Sequence, residues 1–380
     1  MKNANFIAGK LEDCGSFSAF KPNKINHQFE LDYNKILSSL QDAAYKLATL
    51  NSLYKNNNLS IFDSILCLLE SLCSSAIEGT YVTPQNILLD NASSKVSADT
   101  KKIQSLWAAI KFFQKTNLNL SSINFFEEIN SKVLPSPQEV DIRFGKIRNC
   151  QNFVGGFNSV TARFVPPQPQ YIKDLLQDLC DFWNNKKLSF PILIKIAIFH
   201  YQFETIHPFV DGNGRTGRIL INMQLNDANL LNYPALCLSE FWSRNKEHYY
   251  EALGSARYSN NIEYWIVFFL QSIITTCEER IKAISEIEKL KMNCEEKIKS
   301  QIKNPSKHLD LLNYLLGNLY ITTQKTQEEL QVSYQVANKI IHSFVKLNIL
   351  EKSNSNKRNM SFFFKKYGQI IFNNLFTEQD

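Results

Sequence analysis

One short run concentrates much of the reactive chemistry in this chain: His207-Pro208-Phe209-Val210-Asp211-Gly212-Asn213-Gly214-Arg215-Thr216-Gly217-Arg218. Histidine titrates near neutrality and can take a proton from a weak nucleophile, so His207 is a candidate general base. Asp211 offers a carboxylate to a hard cation such as Mg²⁺. Gly212 to Gly214 read as a glycine-rich loop feeding a helix. At such a helix start the backbone N–H groups lack partners and the dipole favours an anion. Arg215 and Arg218 add planar guanidinium forks that match phosphate oxygens. Base, carboxylate, amide cradle and two arginines together describe a site that moves a phosphate-containing group.

The competing reading is a plain turn, since Asn-Gly pairs are common turn residues and arginines often sit in solvent. The length of the run argues against it. No Gly-Lys-Ser/Thr follows, which excludes a Walker loop, and no strand leads into a Gly-X-Gly-X-X-Gly of the dinucleotide-binding kind.

Helices must hold this run in place. Residues 193–203 before it and 219–225 after it are apolar and read as helical. Apolar residues at helical spacing predict further helices over 31–50, 61–77, 103–114, 172–184, 191–203, 217–229, 244–255 and 262–289, with Tyr249 and Tyr250 in the helix after Ser243. Strand signals are sparse. The best predicts a hairpin of 152–157 and 162–167, punctuated by Gly155-Gly156 and by Pro166-Pro167. Near residues 303–306, after a long charged helix, the pattern changes. A short helix over 308–318 is followed by a second at 326–330 with a Thr cap. A third, capped by Ser333, reaches Leu347. A strand over 349–352, a basic turn over 353–359 and a returning strand over 360–364 complete a winged helix-turn-helix. In its third helix Ser333, Tyr334, Gln335, Asn338 and Lys339 face a ligand, while Val336, Ile340 and Phe344 pack inward.

The bulk properties agree with a folded enzyme. The 380 residues suffice for two or three modules, and 44% hydrophobic with 21% charged residues is inconsistent with wholesale disorder. A net charge of +6 permits an anionic ligand without demonstrating one. The eight cysteines form no Cys-X-X-Cys pair and no zinc spacing, which predicts reduced thiols in a cytoplasmic setting. The first ten residues lack the apolar core of a signal peptide, and no uncharged apolar stretch is expected to cross a bilayer. No internal repeat is present.

The signature run resembles that of the Fic family, His-Pro-Phe-X-Asp/Glu-Gly-Asn-Gly-Arg-X-X-Arg, without departure. The resemblance extends from Phe20 to the C-terminus. Ser74-Ser75-Ala76-Ile77-Glu78-Gly79 matches the family's inhibitory string, Ser/Thr-X-X-X-Glu-Gly/Asn, placed N-terminal to the core. Phe203-Glu204-Thr205-Ile206 leads into the signature, Leu238-Ser239 and Tyr249-Tyr250 match a downstream block, and residues 148–167 match the flap. Two stretches depart: Gln151-Asn152-Phe153-Val154 before the flap glycine, and Ser71-Leu72-Cys73 before the inhibitory serines. Neither touches a catalytic role.

What the resemblance implies is a mainly α fold. It has an N-terminal helical region over 1–100 with the inhibitory motif, a Fic catalytic core over 101–300 with a β-hairpin flap, and the winged helix-turn-helix over 305–380. The implied activity is protein adenylyltransfer: AMP passes from ATP to a Ser, Thr or Tyr hydroxyl of a target protein or of the chain itself. His207 is the implied base. Amides of Gly212 to Gly214 and the Asn213 side chain stabilise the α-phosphate, and Asp211 holds Mg²⁺ between the α- and β-phosphates. Arg215 reaches the β-phosphate and Arg218 the γ-phosphate. Tyr249 and Tyr250 flank the adenine, and Val154, Gly155, Gly156 and Phe157 align the target as an added strand. Glu78 pairs with Arg218 and displaces the γ-phosphate, with Ser74 bonding near the base of the same helix and Gly79 completing the inhibitory string.

Three function classes stay open at this level. Besides AMP transfer, the same residues serve AMP removal from a modified protein. A nucleotide-sensing regulator would bind DNA through residues 333–366. The winged helix is expected to contact DNA or a protein, a homodimer is allowed, and no membrane partner is expected. A different nucleotide donor would use much the same signature.

Overall fold

The structure is a computed structural model that describes residues 4–56, 59–89, 96–135, 145–231, 236–353 and 360–372. It is mostly helical, as the spacing of apolar residues predicts. Short strands come first: β1 (Ala4–Asn5), β2 (Gly9–Asp13), β3 (Ser18–Pro22) and β4 (Phe29–Glu30). β2 and β3 form an antiparallel hairpin and β1 pairs in parallel with β4. Sequence reasoning missed these strands, because β2 carries charged residues where a half-buried strand would alternate apolar and polar.

Helix α1 (Tyr33–Asn56) leads through a 3₁₀ turn, Leu59–Phe62, into α2 (Asp63–Ile77), α3 (Pro84–Leu89), α4 (Ala98–Phe113) and α5 (Asn124–Val133). Residues Ser60–Ile77 have the length and composition of a membrane span, against expectation. The fold accounts for their apolarity, since 72% of them are buried inside it. Beyond the flap segment lie α6 (Pro169–Asn184), α7 (Ile192–Ile206), α8 (Asn213–Asp227), α9 (Leu238–Arg244), α10 (Lys246–Ser259) and the long α11 (Ile262–Gln301). Helix α7 is buried from Leu193 to Ile206 apart from Lys195, which makes it the central rod of the bundle. Helices α6, α8 and α11 pack on it, and α1 lies along α11.

The expected hairpin over 152–157 and 162–167 is reduced to one bridge, Val154 to Phe164. Adjacent glycines lack side chains to pack and the prolines lack N–H donors, so no longer ladder forms. Between them, Asn158 and Thr161 close a tight polar turn.

The C-terminal elements are α12 (Ser306–Gly317), β5 (Tyr320–Thr322), α13 (Thr323–Leu330), α14 (Tyr334–Lys346), β6 (Glu351–Lys352), β7 (Ser361–Phe363) and α15 (Lys365–Phe372). The strands join in the order β5-β7-β6, antiparallel throughout. Ser333 caps α14 as expected, accepting from the Val336 amide. Two details differ. Thr322, not Thr326, caps α13. Val336 is 41% exposed, while Ala337, Ile340, Ile341 and Phe344 face inward. The inward stripe therefore starts one residue later, as the 3.6-residue period allows. Lys357 and Arg358, expected in the basic turn, lie outside the described residues. All eight cysteines are free thiols.

Candidate active site

The signature run sits between two central helices. His207 caps α7: its amide bonds to Phe203 O at 3.0 Å and its backbone is left-handed, φ 49°. Gly212, at φ 79°, starts α8 without a side-chain cap. That leaves the amides of Asn213, Gly214 and Arg215 with no preceding turn to bond. An added Cβ at Gly212 would stand 2.9 Å from Asn130 Nδ2, so close approach as well as φ demands glycine there.

Groups from distant parts of the chain brace this loop. Asn130 of α5 donates to Asp211 O at 2.9 Å and to Thr216 Oγ1 at 3.1 Å. Asn152 donates to Phe209 O. Arg148, buried, donates to the carbonyls of His207, Cys150 and Pro167 at 2.9, 2.9 and 2.6 Å. It thereby staples the flap base to the catalytic loop. Sequence reasoning missed the roles of Asn130 and Arg148, since nothing in their neighbourhoods signals a contact so far along the chain.

An open cleft lies over the α8 N-terminus. Its walls include Glu78, Val154, His207, Asp211, Gly212, Asn213, Gly214, Arg218, Tyr249 and Tyr250, all anticipated from sequence. They also include Arg163, Glu204 and Arg257, which were not. Tyr250, Leu253, Gly254 and Arg257 follow i, i+3, i+4, i+7 spacing on α10, a pattern that could have placed them on one wall. The Arg257 guanidinium stacks 3.9 Å from the Phe164 ring and donates to Thr205 Oγ1.

His207 keeps 17% of its side chain exposed, at the cleft. Burial, helped by the charges of Arg148 and Arg257, lowers its pKa to about 4. Its Nδ1 stands 3.9 Å from the Glu204 carboxylate, and the neutral ring keeps one nitrogen able to accept a proton. The neighbouring Glu204 carboxyl is pushed up to about 7 by burial.

Arg218 is the buried hub opposite. Its Nε donates to Ser74 Oγ at 2.7 Å, and its Nη2 donates to Ser74 O at 3.1 Å and to Glu78 Oε1 at 2.9 Å. Burial alone would lower the guanidinium pKa, but the Glu78 carboxylate raises it. Glu78 itself is 39% exposed, at the C-terminal end of α2. Gly79, at φ 84°, closes that helix with the Thr80 amide bonding back to Ser75 O. Ser74 and Glu78 stand one helical turn apart on one face, so both reach Arg218. Ser74 thus bonds across to α8 and not along its own helix as expected.

Four further expectations need correction. Arg215 does not border the cleft: its Nη2 donates to Asp211 Oδ1 at 2.9 Å. The Asn213 side chain accepts from the Phe209 amide and donates one of its two N–H groups to the Phe209 carbonyl, so its first task is to close the loop. Tyr249 borders the cleft but stacks on Trp242 at 4.9 Å, with its hydroxyl bonded to His200, which leaves Tyr250 as the ring with free surface. Gly155, Gly156 and Phe157 lie off the cleft. Phe157 is fully exposed and its amide bonds to Thr161 Oγ1.

Residues 120–225 match the sequence profile of the Fic/DOC family, and residues 37–112 match that of the Fic/DOC family N-terminal region. Curated relatives include protein adenylyltransferase fic-1 of Caenorhabditis elegans. It is 35% identical over 121 residues, which are 30% of this chain and 22% of that protein. A probable protein adenylyltransferase of Aquifex aeolicus is 41% identical over 95 residues, 25% of this chain and 27% of that one. Protein adenylyltransferase Fic of Aedes aegypti is 30% identical over 192 residues, 49% and 35% respectively. The chain therefore spans less than half the length of these relatives. Among solved structures, a Fic family protein from Desulfovibrio desulfuricans superposes with a TM-score of 0.59 at 17% identity, covering 89% of this chain and 98% of that one. C. elegans Fic-1, residues 134–508, gives 0.51 at 21%, covering 66% and 74%. Both show a shared fold.

Proposed function

The chain belongs, through residues 37–112 and 120–225, to the Fic/DOC family, and from that premise we propose that it transfers AMP from ATP to a Ser, Thr or Tyr hydroxyl of a protein. The observation that carries this reading is the cleft itself, in which a neutral His207 faces the amide-rich start of α8 and Arg218. A hydroxyl is a poor nucleophile at neutral pH. Its oxygen bonds to the α-phosphorus as His207 takes the proton. The bond from that phosphorus to the oxygen bridging to the β-phosphate breaks, and pyrophosphate leaves. The amides of residues 213–215 are fixed donors for charge that develops on the α-phosphate. Tyr250 offers a flat ring to the adenine.

Mg²⁺ fits the donors present. Among the described residues no group of three His, Cys, Asp or Glu could hold a metal alone, and Asp211 borders the cleft with Oδ1 oriented by Arg215. A single carboxylate suits an ion whose other ligands are phosphate oxygens and water. There Mg²⁺ would neutralise phosphate charge, and Arg215 acts through Asp211 by holding that carboxylate in place.

Glu78 makes the resting enzyme weak in this proposal. While it engages Arg218, the γ-phosphate cannot, and the α-phosphate is misaligned for attack. The test is incubation with α-labelled ATP, Mg²⁺ and a cell lysate, native chain against Glu78→Gly. Since misplacement by about 1 Å costs on the order of 10²-fold, the variant should label itself and other proteins about that much faster. Equal labelling by both would remove the inhibitory role. Glu78 lining the same cleft as His207 also supports a second reading, in which it positions water to remove AMP. Loss of AMP release from a modified protein in Glu78→Gly, without any gain of labelling, would favour that reading.

A further inference from the structure

The catalytic proposal leaves one surface without a role: the outward face of α13 and α14. These helices meet through a short turn at residues 331–333, with Gln331 in the left-handed conformation, φ 50°. Two helices joined so tightly and followed by strands of a small antiparallel sheet form a helix-turn-helix with a wing. The inward stripe of α14, Ala337, Ile340, Ile341 and Phe344, is buried. Its outward stripe is Tyr334, Gln335, Val336, Lys339, His342 and Lys346, all exposed. No Asp or Glu occurs on α14. Acids on flanking elements have cationic partners: Glu328 and Glu329 pair with Lys325, and Glu351 with Lys365. Among the described residues, Lys339, Lys346 and Lys352 have no acidic partner.

We propose that this face binds duplex DNA. The inference does not rest on the AMP-transfer reading. Charge complementarity selects the partner: a helix face with two lysines and no acids, beside a third lysine on β6, suits a polyanion of regular spacing. Such a helix fits the major groove, and the N-terminal residues of the second helix are those that reach base edges. Gln335 can donate to and accept from an adenine edge, and the Val336 methyls, unexpectedly turned outward, can meet a thymine methyl. Lys339, Lys346 and Lys352 are placed to meet phosphates. A protein partner would call for a continuous apolar patch, whereas this face offers only Tyr334 and Val336, at 57% and 41% exposure.

The test is a titration of the whole chain into a fluorescent random-sequence duplex, followed by anisotropy. With three phosphate contacts, affinity should fall roughly 40-fold between about 50 and about 200 mM salt. Lys339→Glu with Lys346→Glu should abolish binding. The milder Lys339→Gln with Lys346→Gln, on an exposed face and so free of any folding effect, should weaken it and flatten the salt dependence. A charge-matched control on α11, Lys289→Glu with Lys299→Glu, should leave binding near native. Absence of binding by the native chain at low salt overturns the proposal, as does native affinity in the α14 variants or equal loss in the α11 control.

Discussion

At the scale of single residues, the chemistry turns on the protonation state of His207. Burial and two nearby arginines hold its folded-state pKa near 4, below the ordinary 6.5. Above about 4 the folded ring is neutral and can accept a proton. Transfer should therefore stay level as pH drops through 6.5 and lose rate only near 4, measured as kcat/KM against pH with Glu78→Gly. An acid limb near 6.5 that persists in Glu204→Gln would mean that the ring is not shielded as the structure indicates. Stability follows the same sign: between 6.5 and 4 the unfolded chain takes the proton first, so falling pH weakens the fold there. His207→Ala should lower transfer roughly 10²–10⁴-fold while ATP binding persists, checked by calorimetric titration beside the labelling assay. Residue types in the signature disclosed most of this site, but not each partner. Spacing placed Arg215 and Asn213 beside the loop, and the family resemblance added Tyr249. Neither could disclose that Arg215 prefers Asp211, that Asn213 closes its own loop, or that Tyr249 belongs to a stack with Trp242.

At the scale of elements, the site depends on where helices stop. Helix α7 ends at a left-handed histidine, α8 starts at a left-handed glycine, and α2 ends at Gly79, so base, amides and Glu78 converge from three helix ends. Long amphipathic helices were legible because their period repeats several times. Helix α5 was not, being short and rich in Asn, Glu and Ser, and the flap ladder was overestimated because turn residues were present without the side chains that sustain a strand. Arg148 joins these pieces, and no local pattern announces it. Arg148→Met should leave the carbonyls of His207, Cys150 and Pro167 without their charged donor. At about 1.5–3 kcal/mol for a hydrogen bond to a charged group, the loss should reach at least about 3 kcal/mol. Urea midpoints give this directly. Because Arg148 positions the loop and touches no ligand, kcat in the Glu78→Gly background should fall further than ATP affinity. A variant with unchanged midpoint and kcat would show that the flap is held by other means.

At the scale of the whole molecule, α2 is held by elements from distant parts of the chain. Helices α4, α8 and α9 pack on it, and so do α12 and α15. Phe62, just before α2, stacks near Tyr367 at 6.1 Å, and Ile371 of α15 shares an internal gap with Phe62, Leu66 and Ile287. Gly317 approaches so closely that a Cβ there would lie 2.9 Å from Ile61 O. Past the far end of α2, Gln85 of α3 donates to Ser353 beside the wing. The sequence pattern separated residues 305–380 as a module. The buried apolar residues of the described chain form one cluster running from Phe6 to Phe372. A continuous core predicts a single calorimetric transition for the intact chain, with calorimetric and van't Hoff enthalpies in agreement. Ending the chain at Ile302 would bare Phe62, Leu66, Ile284 and Ile287, and the melting temperature should fall by many degrees. The same cut removes α12 and α15 from α2, the helix that delivers Glu78 to Arg218. If a rigid α2 is what keeps that pair closed, the shortened chain should label itself faster than the intact one, measured at a temperature well below its own transition. Faster labelling that Glu78→Gly no longer increases would place the C-terminal elements in control of the inhibitory contact. A lower melting temperature with unchanged labelling would confine them to stability and leave the contact to α2 and α8 alone.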